Sequence, residues 1–425
     1  MTELKPYREY KDSGVEWLGG VPAEWSVEPL GKLFTERRET VSDADYPALS
    51  VTREGVVPQL ENVAKTSDGE GRKLVRAGDI AINSRSDRKG SSGLVDRDGS
   101  VSVITTVVTA RGLDPKFAHF LLRSFPFQEE FYRYGSGIVA DLWSTRWSAM
   151  KAIRLPLPSH TEQQAIAAYL DRETAEIDAF IADQEELIRL LTERRAATIS
   201  HAVSTTSEVA NSKLLPLRRI VTYLDQGWSP NCEPTSAEGN GWGVLKVGCV
   251  NGGTFLPYEN KALPPEENPR PEFSVRGGDI LVSRGNTREL VGSAALVDRD
   301  YPQLLLSDLL YRMRVDTSRA SAPYVVLALG SREARGQIEA SSKGTSASMQ
   351  KISQTDLREL RLWFPSLELQ RQIATRVAAE TAELDAAIAD AREAISLSRE
   401  RRAALISAAV TGKIDVREHA HSGVG

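Results

Sequence analysis

Residues 173–179 read ETAEIDA and residues 380–386 read ETAELDA, a step of 207 residues. The same step carries RLPLPS at 154–159 onto RLWFPS at 361–366, and Ile166-Ala167 onto Ile373-Ala374. It also carries Arg194-Arg195-Ala196-Ala197 onto Arg401-Arg402-Ala403-Ala404, and Ile199-Ser200 onto Ile406-Ser407. A fixed self-similarity of this kind is the first thing to settle, because it sets the architecture. Only two copies are present, so the chain is a tandem duplication and not a solenoid.

Working outward, residues 160–203 contain neither Gly nor Pro. Ile166, Leu170, Ile177, Ile181 and Ile188 recur at spacings of 4, 7, 4 and 7, one stripe of a helix. Ile373, Val377, Leu384, Ile388 and Ile395 repeat that stripe in residues 369–410. Each segment reads as a helix of about 40 residues, roughly 60 Å long. Pro158-Ser159 and Pro365-Ser366 supply N-cap contexts, and Thr411-Gly412 supplies a stop. A long helix with a narrow apolar stripe needs a partner. The other copy is the obvious one, and the two stripes form the expected core of a helix pair.

Upstream the repeat continues at drifting steps. Gly78-Asp79-Ile80 matches Gly278-Asp279-Ile280, and Leu94–Asp98 matches Leu296–Asp300. Insertions therefore fall in the first part of each unit. Residues 25–157 and 212–364 mix β-rich runs with Gly, Pro, Asn and Ser breaks. The run Val101–Thr109 is expected to be a strand, as are Asp279–Val282 and Gly243–Val247. Short helices are expected at Lys116–Ser124 and Tyr324–Leu329, each followed by a more polar one. Each segment reads as an α+β domain with one curved, mostly antiparallel or mixed sheet. The boundaries are 1–158 and 211–365 for the domains, and 159–210 and 366–425 for the helices with their tails.

The chain has 425 residues and a net charge of −5, which by itself disfavours a nucleic-acid partner. The distribution is more informative. Segments 25–155 and 212–362 each carry 19 Lys and Arg against 17 Asp and Glu, whereas 159–204 carries 4 against 9. The acidity lies mainly in the helices, and the domains are mildly basic. Polar and basic groups gather in matching loops. One pair holds Ser84, Arg85, Arg88 and Lys89 against Arg284, Asn286 and Arg288. The other holds Tyr134, Ser136 and Arg146 against Lys343, Thr345 and Ser346. Arg bonds guanine bidentately, Asn reads adenine, and hydroxyls hold phosphates. These are candidate DNA contacts; the bland alternative is a set of solvated hairpin loops. Trp143 and Trp147 read as core residues.

Hydrophobic residues make up 41% of the chain and charged residues 26%, which excludes wholesale disorder. The most apolar stretches fall well short of the roughly 18–20 residues a bilayer span needs. The opening MTELKPYREYKD has no apolar core segment and is not expected to be a signal peptide. Cys232 and Cys249 read as free thiols in a reducing cytoplasm. His419 and His421 form the only close histidine pair, and a tail with two ligands makes no metal site. No phosphate loop, HExxH, CxxC, GxSxG or Asn-Pro-Pro-aromatic motif is present. The chain is expected to catalyse nothing by itself.

One family matches this pattern along nearly the whole chain. The opening Tyr10-Lys11-Asp12-Ser13-Gly14-Val15-Glu16-Trp17-Leu18-Gly19, with Val21-Pro22 and Glu24-Trp25, resembles the specificity subunits of type I restriction–modification systems. So do the paired Gly-Asp-Ile turns, Leu157-Pro158 with Glu162-Gln163-Gln164, and the closing Val410-Thr411-Gly412-Lys413-Ile414-Asp415. Two departures are visible. Glu368-Leu369-Gln370 replaces adjacent Glu-Gln, and the first half lacks the Thr-Gly-Lys-Ile-Asp ending.

The resemblance implies two tandem target-recognition domains separated by two long antiparallel coiled-coil helices, an internal pseudo-two-fold duplication. Each domain would read one half of a bipartite asymmetric site in double-stranded DNA, with the helices as a ruler. Two methyltransferase subunits and restriction/motor subunits would be partners, in the cytoplasm and without a membrane. S-adenosylmethionine, ATP and Mg would belong to those partners and not to this chain. Two other readings compete: a coiled-coil scaffold that binds no DNA, and a fused enzyme, which would need a cofactor or metal motif.

Overall fold

The computed structural model describes residues 5–59, 71–85, 90–137, 143–208, 211–239, 241–346 and 349–417, without the side chains of 207, 208, 345 and 346. Arg88 and Lys89, like His419 and His421, lie outside the described residues, as do the side chains of Thr345 and Ser346. The chain forms two compact units. The first comprises residues 1–184 and 393–425, and the second residues 185–392.

In the first unit a four-stranded antiparallel sheet runs in the order Ser92–Leu94, Asp79–Asn83, Thr105–Ala110, Phe34–Arg37. In the second unit the order is Ala294–Leu296, Ile280–Ser283, Leu310–Val315, Val221–Gln226. The two sheets are repeat copies of each other. The Gly-Asp-Ile turn explains how each central strand begins. Gly78 and Gly278 have φ of +92° and +86°, a left-handed backbone that glycine adopts without strain. The buried carboxylates of Asp79 and Asp279 then accept the backbone N–H of Arg76 and of Arg276, each at 2.9 Å. Arg37 and Arg314 neutralise them at 2.7 and 2.6 Å.

The expectation of one curved sheet per domain needs correction. Each unit has a second sheet: Gly99–Val101, Arg72–Val75 and Thr40–Val41 in the first, and Asn260–Ala262, Gly243–Leu245, Tyr301–Leu305 and Ser274–Val275 in the second. The pair Gly243–Leu245 with Tyr301–Leu305 is parallel. The β-branched run Val101–Thr109 is likewise not one strand. The chain turns at residues 102–104, where Thr105 N donates to Ser102 O, and leaves Val103 exposed. One strand therefore serves each sheet.

Helices Pro115–Arg123 and Phe125–Arg133 pack on the first sheet, and Ala322–Gly330 and Arg332–Ser341 are their counterparts. The first starts at Asp114 because its carboxylate accepts from Lys116 N and Phe117 N, with Pro115 at the first helical position. Phe117, Leu121 and Phe127 close the first core with Trp25, Phe34 and Ile80. Tyr324, Leu329 and Phe364 do so in the second with Leu217 and Ile280.

The long helices span His160–Ser204 and Leu367–Val410. Ser159 and Ser366 cap them, accepting from Glu162 N at 3.3 Å and Leu369 N at 3.4 Å. Gly412, at φ +72°, ends the second helix, and Lys413 N closes back on Ala408 O at 2.8 Å. The helices pair antiparallel within each unit. Arg402 Nε meets Asp178 Oδ1 at 2.9 Å in the first unit, and Arg195 Nε meets Asp385 Oδ1 at 2.7 Å in the second. These are one ion pair repeated at the 207-residue step.

Of the expected helix-pair residues, Ile166, Leu170, Ile177, Ile373, Val377, Ile388 and Ile395 are buried. Ile181, Ile188 and Leu384 are half-buried. Ile166 and Leu170 belong to the first domain core, and Ile373 and Val377 to the second, so helix and domain share one core in each unit.

Candidate nucleic-acid interface

Each unit gathers three chain segments at one end of its four-stranded sheet. In the first, Arg85 and Ser136 both bridge to Ser144. Ser136 N donates to Ser144 O at 3.1 Å, Ser144 N to Ser136 O at 3.0 Å, and Thr145 N to Ser84 O at 3.0 Å. In the second, Gly285–Asn286, Met349–Lys351 and Lys343–Ser346 form a three-stranded sheet, with Gly285 and Lys343 both opposite Lys351. Ile352 N donates to Arg284 O at 3.0 Å. The pairings correspond residue for residue: Arg85 to Gly285, Ser136 to Lys343, Ser144 to Lys351, Thr145 to Ile352. The frame is duplicated, and the side chains on it are not.

Arg85, Ser136 and Arg146 are exposed in the first constellation, and Arg146 precedes the short helix Trp147–Met150. Ser84 turns inward, its Oγ donating to Ile104 O at 2.7 Å. Tyr134 packs on the domain core, with the Arg133 guanidinium 5.4 Å from its ring centre. Trp147 packs on that core as expected. Trp143 closes the loop, donating from Nε1 to Tyr132 O at 3.1 Å. Gly135 lies so close beneath it that a Cβ would stand 2.1 Å from Trp143 Nε1.

In the second constellation Arg284 donates to Asp308 O at 3.2 Å, and Arg288 lies 3.5 Å from Glu339. Asn286 donates to Asn251 Oδ1 at 3.4 Å. Lys343 and Lys351 are exposed and directly opposite each other on adjacent strands. Such partners hold their Cβ atoms about 4.5–5.5 Å apart, so two ammonium groups share one face with mutual repulsion. That is a local positive potential suited to a phosphate.

Lys351 was not among the sequence candidates. It lies beyond the second loop, and a contact between strands more than 60 residues apart leaves no local pattern. The signal available was the repeat, since Lys351 stands 207 residues after Ser144. Gln163 and Gln370 were also passed over as working residues. Both are 1% exposed. Gln163 accepts from Asp114 N at 2.8 Å and donates to Pro158 O at 3.0 Å. Gln370 accepts from Ser321 N at 2.9 Å and donates to Pro365 O at 2.9 Å. Each ties a long helix to the N-cap of a short helix of its unit, Asp114 before Pro115–Arg123 and Ser321 before Ala322–Gly330, and the departure at Glu368-Leu369-Gln370 leaves this bond intact.

Among the described residues no helix is long and apolar enough to cross a membrane. No group of three His, Cys, Asp or Glu side chains among them is placed to hold a metal. Cys232 and Cys249 are both free thiols.

The architecture is a mixed helix-and-strand protein with two long helices and a duplicated domain. A chain from a study of complex assembly and conformational transition in the type I R-M system shares this fold. Its TM-score is 0.59 at 18% identity, and the match covers 93% of this chain and 99% of that one. By sequence, 37% of this chain is 34% identical to the type I restriction enzyme EcoEI specificity subunit of Escherichia coli. A longer stretch, 56% of the chain, is 27% identical to the EcoKI specificity subunit of Escherichia coli K12. The matches span 27% and 53% of the length of those two relatives. No protein-family model matches the chain. In sequence, then, the chain resembles the specificity subunits of type I restriction enzymes.

Proposed function

We propose that this chain is the DNA-sequence-specificity subunit of a type I restriction–modification complex. Each recognition domain reads one half of a bipartite asymmetric target in double-stranded DNA. The helices set the spacer between the half-sites and dock two methyltransferase subunits, through which restriction/motor subunits join. The chain itself is non-catalytic and works in the cytoplasm. S-adenosylmethionine, ATP and Mg are held by the partners.

One observation carries the reading. The two units repeat one backbone frame with different side chains on it: Arg85, Ser136 and Ser144 in one, Gly285, Lys343 and Lys351 in the other. A protein that reads two unlike half-sites needs this combination, because backbone pairing fixes register while side chains select bases. A scaffold has no use for it.

An adenine-methylation map of the host genome, with the gene intact and disrupted, tests the proposal. Loss of one bipartite motif is the expected result. Exchange of residues 25–157 for those of another such subunit changes one half-site and leaves the other. A simultaneous change in both half-sites would overturn the modular reading.

A further inference from the structure

Successive side chains of a strand point to opposite faces of a sheet, and residues directly opposite each other on adjacent strands share a face. In the three-stranded sheet of the second unit, Met349 and Lys351 therefore stand on one face and Gln350 on the other. Gly285 and Lys343 are both opposite Lys351 and belong to the first of these faces. Lys343 and Lys351 are exposed there, and Met349 is 43% exposed beside them.

The glycine explains how Met349 is held. A Cβ at Gly285 would stand 3.3 Å from Leu309 Cδ2 and 3.5 Å from both Lys351 Cγ and Met349 Sδ. Both long side chains thus lie across the strand Gly285–Asn286 and cover the glycine, which is buried. Leu309, half-buried, completes the apolar support. The face presents a supported thioether beside two ammonium groups.

This combination matches one feature of DNA. Lysines hold phosphates, and an apolar side chain between them meets base edges. In the major groove thymine alone offers an apolar group, its C5-methyl. The flexible, polarizable methionine side chain adapts its surface to such a group. The first unit supplies the contrast. Where the second unit has Gly285 covered by a thioether, the same frame carries Arg85, whose side chain is exposed. One half offers hydrogen-bond donors at that place, and the other an apolar surface.

We propose that Met349 is a specificity-determining residue of the second unit, packing against the methyl group of one thymine while Lys343 and Lys351 hold neighbouring phosphates. This rests on the reading of DNA by this chain proposed above.

Selection of bound duplexes from a random pool tests it, with the full chain and with its Met349→Gln and Met349→Leu variants. The wild-type chain should enrich a bipartite sequence with a fixed A·T pair at one position of one half. Met349→Gln should relax that pair and leave the other half unchanged, and Met349→Leu should retain it. Deoxyuridine in place of that thymine removes only the methyl group. It should weaken binding of the wild-type chain about fourfold, the worth of one buried methyl, and leave the Met349→Gln variant indifferent. Enrichment of the same sequences by the wild type and Met349→Gln would overturn the inference while the DNA reading stands. So would a relaxed pair at which the wild type binds deoxyuridine and thymine equally, since Met349 would then act as a wedge between bases. No enrichment of any sequence by the wild-type chain would overturn both the inference and the reading beneath it.

Discussion

Removing the facing lysines of the second constellation should weaken DNA binding while leaving the fold as stable or more so. Lys343 and Lys351 are directly opposite across an antiparallel pair. Like charges so placed cost a sheet roughly 0.2–1 kcal/mol, less at high salt. On DNA the sign reverses. Each lysine that neutralises a phosphate contributes about 0.9 to the slope of log K against log salt. At physiological salt that release is worth about 1 kcal/mol, or about fivefold in affinity. Lys343→Gln and Lys351→Gln should each lower the slope by about 0.9, and the double variant by about 1.8, with roughly 30-fold weaker binding. The assay is fluorescence anisotropy of the full chain on a labelled duplex, over a salt series, beside a denaturant titration. An unchanged slope with unchanged affinity would refute the phosphate assignment. A changed preference at one base pair would show that these lysines read sequence instead.

Three further outcomes follow from groups described above or buried beside them. Gln163→Ala leaves the N–H of Asp114 and the Pro158 carbonyl without their partner, which should cost about 2–4 kcal/mol in a denaturant titration; a loss no larger than that of an exposed substitution would count against the tie. The ring of His119 is pushed down to about 4 by burial first and by Arg123 next, so it stays neutral in the fold while the unfolded chain takes up a proton near pH 6.5. Stability present above pH 6.5 is therefore lost as pH falls toward 4, by about 3 kcal/mol in all, and His119→Val should flatten that slope. Burial pushes the Cys249 thiol up to about 12, so an alkylating reagent at mildly alkaline pH should label the half-buried Cys232 and spare Cys249 until the chain is denatured.

The long helices were legible because every signal agreed: periodicity, absent Gly and Pro, Ser before the start and Gly after the end. The duplication was legible in RLPLPS and RLWFPS. The run Val101–Thr109 misled because its turn contains neither Gly nor Pro. Only the two sheets, formed by pairing with distant strands, require the break at residues 102–104. Arg85, Ser136, Arg284 and Lys343 were singled out in the sequence because they sit in recognisable loops. Their convergence was not, since it rests on backbone pairing through Ser144 and Lys351 across more than 50 residues. The inward turn of Ser84 likewise depends on the Ile104 carbonyl, 20 residues away.

The division of the chain also dictates an order of assembly. The second unit is one uninterrupted stretch, whereas the first is broken at Gln184 and resumes at Glu393. All residues of the second unit are made before the segment that finishes the first. That segment brings Ile406, Ala409, Val410 and Val416 into a core otherwise formed from early residues. Closing a free loop of about 208 residues costs about 2.7 kcal/mol more than closing one of about 10. Once the second unit has folded, its helix pair holds the two ends of that stretch side by side, and most of this penalty disappears. A chain truncated after residue 392 would therefore carry a finished second unit and a first unit still open at its centre.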